Sequence, residues 1–404
     1  MSRPGTRKER PTASSVRPAE LERLARRSIE IITRNQAPSG AYLASPTFPV
    51  YRYSWFRDGA FIADAMSRAG EIASAEAFFS WCAGVLEARR DQIEGLVARR
   101  LAGAPIATNE FLHARYTVDG RETGEAWADF QLDGYGLWLW ALDEHQRRHG
   151  RSIDRFLGGA RLSIEYVAAF WDHPSYDWWE EFPEHRHTAT LAALHAGLRA
   201  AATWPDLAPD LRRRASDAAA ELVGRVRADA GRLGRLSKWL GGDAVDASLI
   251  AVATPLAMFS PSDPLVAATV AAIEAQLVHN GGVHRYLADT YYGGGEWPLL
   301  AGFLGWHHAA VGRTGEAWAE LAWIARQATP EGELPEQVDG CLLAPEHRSA
   351  WVARWGPVAT PLLWSHAMYL TLAIELGVVG GAPRAAAPLV DDSSGAGASP
   401  AAWP

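Results

Sequence analysis

The sequence predicts an all-α protein, an (α/α)6 barrel or six-hairpin toroid. Twelve segments place apolar residues at helical spacing, and hardly any stretch alternates as a strand would. The links between segments are by turns tight and long. Helix pairs joined in this way close into a ring of six inner and six outer helices, with the long loops gathered on one rim. An open α-solenoid is also built from helix pairs, but no fixed repeat period or motif runs through the chain, which weighs against it.

Residues 1–17 read as a disordered tail. Helical spacing begins after Pro18 with Leu21, Leu24, Ala25, Ile29 and Ile32. A loop rich in Gly, Ser and Pro over 37–50 leads to Tyr51-Arg52-Tyr53-Ser54-Trp55-Phe56-Arg57-Asp58, which opens a helix reaching Ala69. Gly70 breaks it, and helical spacing resumes over 71–89 with an extension toward 100. Residues 101–128 are irregular. Further helices are expected over about 131–149, 152–172, 187–203 and 208–230, with a short one over 246–258. The last four fall near 264–278, 296–312, 314–328 and 361–377. The long loops, 37–58, 101–130, 173–186, 279–295 and 329–360, combine Trp, Tyr, Glu, Asp and Arg. Long loops in a compact domain usually carry function. The stretch 380–404, rich in Ala, Gly, Ser and Pro, reads as a second disordered tail, which leaves 18–379 as a single domain.

Composition narrows the function classes. At 48% hydrophobic and 21% charged residues the chain matches an ordinary soluble protein, and its 404 residues can bury a large core. A net charge of −8 argues against a nucleic-acid partner. Cys82 and Cys341 give no disulfide framework and no metal-ligand spacing, and no metal or cofactor site is read. No apolar run approaches the roughly 18 residues of a membrane span, and the first 18 residues lack the apolar segment of a secretory signal. A soluble cytoplasmic protein is expected. The compositional outlier is tryptophan, with 18 copies. Tryptophans in loops suit stacking on sugar rings, whereas a large helical core that uses many aromatics explains them equally well.

The most telling stretch is Tyr176-Asp177-Trp178-Trp179-Glu180-Glu181. An indole can stack on the apolar face of a pyranose. One carboxyl with a raised pKa can act as a general acid, while another accepts hydrogen bonds from sugar hydroxyls. Alone, the stretch is more often a surface loop. Around Arg57-Asp58 the aromatics at 51, 53, 55 and 56 suggest a site rim, although Asp at a helix start also has a plain electrostatic explanation. In Trp127-Ala128-Asp129-Phe130-Gln131-Leu132-Asp133, Asp129 is a candidate helix cap. Gln131 and Asp133 point either into a polar cavity or at ordinary buried partners. Gly293-Gly294-Gly295 has no preceding strand and no following Lys-Ser/Thr, so it is not a phosphate loop. Its glycines are expected to permit a tight turn where backbone approaches ligand. His366, after Trp364-Ser365, reads as a satisfied residue near a helix start.

These stretches, taken in order with Asp246-Ala247-Ser248-Leu249, Arg285-Tyr286, Asp289-Thr290-Tyr291-Tyr292 and Leu334-Pro335-Glu336-Gln337, resemble glycoside hydrolase family 15 over about residues 20–377. That family comprises glucoamylases, glucodextranases and related exo-acting α-glucosidases. The resemblance implies an (α/α)6 fold, Glu180 as general acid and Glu336 as general base. It further implies that Arg57, Asp58 and Arg285 hold the non-reducing-end sugar and that Glu181 binds the next one. Tyr51, Trp55, Trp127, Trp179 and Trp364 would be pocket residues. Trp178 departs from the aliphatic residue common there. The family's amino-terminal β-sandwich and starch-binding module are not seen, and the short layout looks most like the isomaltose glucohydrolases. The implied reaction is hydrolysis of small α-1,6-linked oligosaccharides with inversion, giving β-glucose without metal or nucleotide. Inversion requires the two carboxyls about 6.5–9.5 Å apart. A glucoamylase acting on α-1,4 bonds and a trehalase are the nearest alternatives. A sugar-binding protein that has lost catalysis is the alternative from another class.

Overall fold

Thirteen α-helices form among residues 16–382, the part of the chain that a computed structural model describes. They are α1 (Pro18–Arg34), α2 (Phe56–Arg68), α3 (Ile72–Glu87), α4 (Arg90–Leu101), α5 (Asp133–His149), α6 (Leu157–Phe170) and α7 (Thr188–Ala201). Then follow α8 (Pro209–Leu233), α9 (Pro264–Gln276), α10 (Pro298–Ala310), α11 (Thr314–Arg326), α12 (Arg348–Trp355) and α13 (Leu363–Glu375). The tails expected at 1–17 and 380–404 lie outside the described residues, apart from 16–17 and 380–382. Proline opens α1, α8, α9 and α10, where its fixed φ suits the first turn and its missing N–H is not needed. Gly150 and Gly234, both left-handed, end α5 and α8.

The helices close into a double ring. Inside, α2, α5, α7, the 3-10 helix Ala247–Val252, α10 and α13 pack each against the next, and α13 returns to α2. Outside lie α1, α3, α6, α8, α9 and α11, each against an inner neighbour or another outer helix. Burial follows this order. Every residue of α2 is buried, whereas α1 and α8 bury one stripe and expose the rest. This is the (α/α)6 toroid, with one continuous hydrophobic core running from Leu21 to Ala373. The inner helices touch through backbone where side chains are absent. A Cβ on Gly136 of α5 would lie 2.5 Å from the Ala193 carbonyl oxygen of α7, which leaves room only for glycine.

Three expectations need correction. The helix expected over 246–258 is only the 3-10 helix Ala247–Val252. The Asp246 carboxylate accepts the Ser248 N–H and hydroxyl, and Pro255 lacks the donor and the geometry an α-helix needs. The segment 71–100 is two helices, α3 and α4. At their junction Arg89 donates to the carbonyls of Val85 and Gly120 and lies 4.4 Å over the Tyr116 ring. The long loop 329–360 contains α12, all of whose residues are at least partly exposed. Two short antiparallel ladders tie the loops: Ser54–Trp55 with Arg115–Tyr116, and Val278–His279 with Gly282–Val283.

Candidate active site

The rim loops enclose a pocket of about 310 Å³. All eleven residues expected at a site line it: Glu180, Glu336, Tyr51, Trp55, Arg57, Asp58, Trp127, Trp179, Glu181, Arg285 and Trp364. They come from the stretch before α2 and its first turn, the end of the 101–130 loop, the 176–181 stretch, the 278–297 segment, the loop after α11 and the first turn of α13. Eight of the 18 tryptophans line the pocket, while Trp138, Trp140 and Trp204 are fully buried elsewhere. Tryptophan is thus used both in the pocket wall and in the helical core.

Glu180 stands in a left-handed conformation, φ +67°, which costs a side-chain-bearing residue about 1–3 kcal/mol. The turn that imposes it is built by Asp177. Its Oδ1 accepts the backbone N–H groups of Trp179 and Glu181, each at 2.9 Å, and its carbonyl accepts that of Glu180 at 3.0 Å. Beneath the turn, buried Lys238 lies 3.0 Å from Asp177 Oδ2 and 2.6 Å from Asp246 Oδ2. Asp246 in turn accepts the Trp179 indole N–H. The Glu180 side chain is thereby aimed at the pocket. Its Oε1 accepts Trp55 Nε1 at 2.8 Å and Gln131 Nε2 at 3.0 Å, with Arg57 Nη2 at 3.7 Å.

Glu336 is only 2% exposed. The Tyr51 hydroxyl donates to its Oε1 at 2.9 Å and that of Tyr291 to its Oε2 at 3.3 Å, and the two hydroxyls are 2.9 Å apart. Burial pushes the Glu336 carboxyl up to about 7, against the opposing pull of Tyr51, Arg285 and Tyr291. Asp58 is also pushed up to about 7 by burial, with Arg57 opposing and the Glu180 and Asp133 charges adding.

Two buried arginines complete the inner pocket. Arg57 donates through Nη1 to Gln131 Oε1 at 2.5 Å and Asp133 Oδ2 at 3.2 Å. Arg285 grips Asp289 through two hydrogen bonds, 2.7 and 2.5 Å, among the rings of Trp179, Tyr286, Tyr291 and Trp297. Glu181 accepts the Tyr286 hydroxyl at 2.6 Å and lies 3.8 Å from Arg285; burial raises its pKa. Trp127 packs edge-on to Trp55, with the Arg115 guanidinium 3.8 Å above it. Trp364 stacks on Phe61 and sits beside Trp178.

Other expectations fare differently. Asp129 does not cap α5; its carboxylate pairs with His113 at 3.5 Å. Gln131 and Asp133 serve Arg57 and Glu180 from behind the pocket wall. The turn at Gly293-Gly294-Gly295 is tight, but the approach is to protein. Cβ atoms at Gly294 and Gly295 would each meet a backbone oxygen at 2.4 Å, of Asp289 and Val338. His366 is buried and satisfied by Ser28 and the Leu334 N–H. Sequence reasoning did not single out Tyr291, Trp297, Trp351, Arg354 or Trp355 as site residues. Tyr291, inside a quoted motif, and Gln131, read as a candidate for a polar cavity, did carry a signal.

A helical toroid whose rim loops converge paired carboxylates, arginines and indoles on one pocket is the architecture of a glycoside hydrolase. The chain belongs to that class through Glycosyl hydrolases family 15, whose profile matches residues 19–347. It is 48% identical over 363 residues to the isomaltose glucohydrolase of Kribbella flavida, covering 89% of this chain and 94% of that protein. A solved wild-type glycosidase superposes with TM-score 0.88 at 48% identity, over 90% of this chain and 98% of that one. The glucoamylase of Saccharomycopsis fibuligera shares the fold, with TM-score 0.68 at 14% identity over 91% of this chain and 96% of that one. A trehalase of Mycolicibacterium smegmatis is 28% identical over 290 residues, 66% of this chain and 43% of that protein.

Proposed function

We propose that residues 18–379 act as one catalytic unit, an exo-acting α-glucosidase that releases β-glucose from small α-1,6-linked glucosides such as isomaltose. The observation that carries this reading is the pairing of Glu180 and Glu336 in one pocket with unlike surroundings. Its substrate follows the name of the Kribbella flavida relative. Because Trp55 and Gln131 both donate to Glu180 Oε1, the acid's proton belongs on Oε2. From there it passes to the glycosidic oxygen as the bond to C1 breaks. Glu336 takes a proton from the water that attacks C1 from the opposite face, and the configuration inverts. A base with a pKa near 7 is well matched to neutral pH. Arg57, Asp58 and Arg285 hold the hydroxyls of the innermost sugar, Glu181 holds the next, and Tyr51, Trp55, Trp127, Trp179 and Trp364 form the walls. The buried inner end stops the chain after one sugar. Among the described residues no helix is long and apolar enough to cross a membrane, and we assign the enzyme to the cytoplasm. Initial rates of glucose release from isomaltose, maltose and trehalose test the reading. Isomaltose should be fastest; maltose or trehalose in first place would reassign the enzyme as a glucoamylase or a trehalase.

A further inference from the structure

The innermost residues of the pocket are deeply buried, with Arg57 at 5% and Arg285 at 3% exposure, and its outer wall is of another kind. Helix α12 presents Trp351, Arg354 and Trp355 to the pocket, at the i, i+3 and i+4 spacing that puts three side chains on one helix face. Trp351 anchors the helix. Its ring lies 4.9 Å from Tyr291, edge-on, and 6.1 Å from Tyr292, stacked. The exposed guanidinium of Arg354 lies 4.7 Å over the Trp355 ring and 5.8 Å from that of Trp351. Among the described residues no carboxylate stands within 4.0 Å of Arg354, in contrast to Arg57 and Arg285. Its guanidinium therefore lies against two indoles at the pocket lining, with no carboxylate claiming its donors.

We propose that Arg354 is the specificity-determining donor to the hydroxyls of the leaving-group sugar, preoriented by Trp355 and Trp351. This rests on the reading that the pocket takes an α-glucoside with its non-reducing sugar innermost. The leaving group would then lie against α12, and a glucoside without a second sugar would not sense Arg354.

The test compares wild type, Arg354→Ala and Arg354→Lys on isomaltose, or on whichever of isomaltose, maltose and trehalose the wild type cleaves fastest, and on α-glucosyl fluoride. On the disaccharide, kcat/KM of Arg354→Ala should fall roughly ten-fold or more, the effect of losing a charge-assisted hydrogen bond. On the fluoride it should stay within about two-fold, which also shows that the variant is folded. Arg354→Lys should recover part of the loss, because it keeps the charge but not the planar donor set. Equal losses on both substrates, or none on the disaccharide, would overturn the proposal. A wild type inactive on every one of these substrates would instead overturn the functional reading beneath it.

Discussion

Glu180 and Glu336 occupy one pocket in opposite kinds of surroundings. Glu180 rides a strained turn, with its side chain 18% exposed and its neighbours Trp55, Gln131 and Arg57 gathered on one oxygen. Glu336 is sealed between two phenols, one on each oxygen, and burial dominates its chemistry. The first arrangement leaves one oxygen for a proton and lets the carboxyl reach a leaving group. The second fixes both oxygens of a carboxyl that resists ionisation until near neutral pH, which suits the base proposed there. The proposed division of two identical side chains into acid and base rests on these unlike environments.

Replacing either carboxyl attacks this division most directly. Glu180→Gln and Glu336→Ala should each lower kcat on a disaccharide by roughly 10²–10⁴-fold. The two separate on α-glucosyl fluoride, whose leaving group needs no proton. There Glu180→Gln should retain most activity and Glu336→Ala should not. Parallel losses on both substrates would erase the distinction.

Next in size is the support of the acid's turn. Lys238→Met leaves Asp177 and Asp246 buried without their cation, a loss of about 3–5 kcal/mol that a denaturant titration would register. No change in midpoint would show that the turn stands without it. On the base side, Tyr51→Phe should lower kcat roughly ten-fold or more by removing a hydrogen bond to the carboxylate. Tyr291→Phe should cost less, since its bond is longer, at 3.3 Å.

The smallest effects concern pH. Glu336 is raised from 4.5 to about 7 in the folded protein. The folded state therefore binds the proton more tightly than the unfolded chain, and stability falls as pH rises from about 4.5 through about 7. Glu336→Gln should accordingly raise Tm relative to wild type at pH 8 and lose that advantage near pH 4. For the same reason kcat/KM of the wild type should climb with pH up to about 7, where Glu336 becomes ionised. A flat profile between pH 5 and 8 would remove the base from its assigned environment.

Most of the ring and the inner pocket was legible in the sequence because both are written in short local patterns. Helical spacing marks α1, α5 and α13, and compact motifs carry Arg57, Glu180, Arg285 and Glu336. What escaped depends on contacts between distant positions. Tyr51 and Glu336 are 285 positions apart, and Lys238 joins Asp177 to Asp246 only because the fold brings the 176–181 stretch against the connection after α8. Helix α12 was hidden by its shortness and by Pro345 and Gly356 on either side, which read as loop. The 3-10 helix at Ala247–Val252 keeps the apolar content of a helix while the Asp246 carboxylate takes the Ser248 N–H.

The division of labour between Glu180 and Glu336 is tested most directly by the anomeric proton signals during the first turnovers on isomaltose, before mutarotation mixes them. β-Glucose appearing first is the predicted result, and it requires water delivered by Glu336 opposite the bond protonated by Glu180. α-Glucose appearing first would mean retention, and would contradict the role given to Glu336.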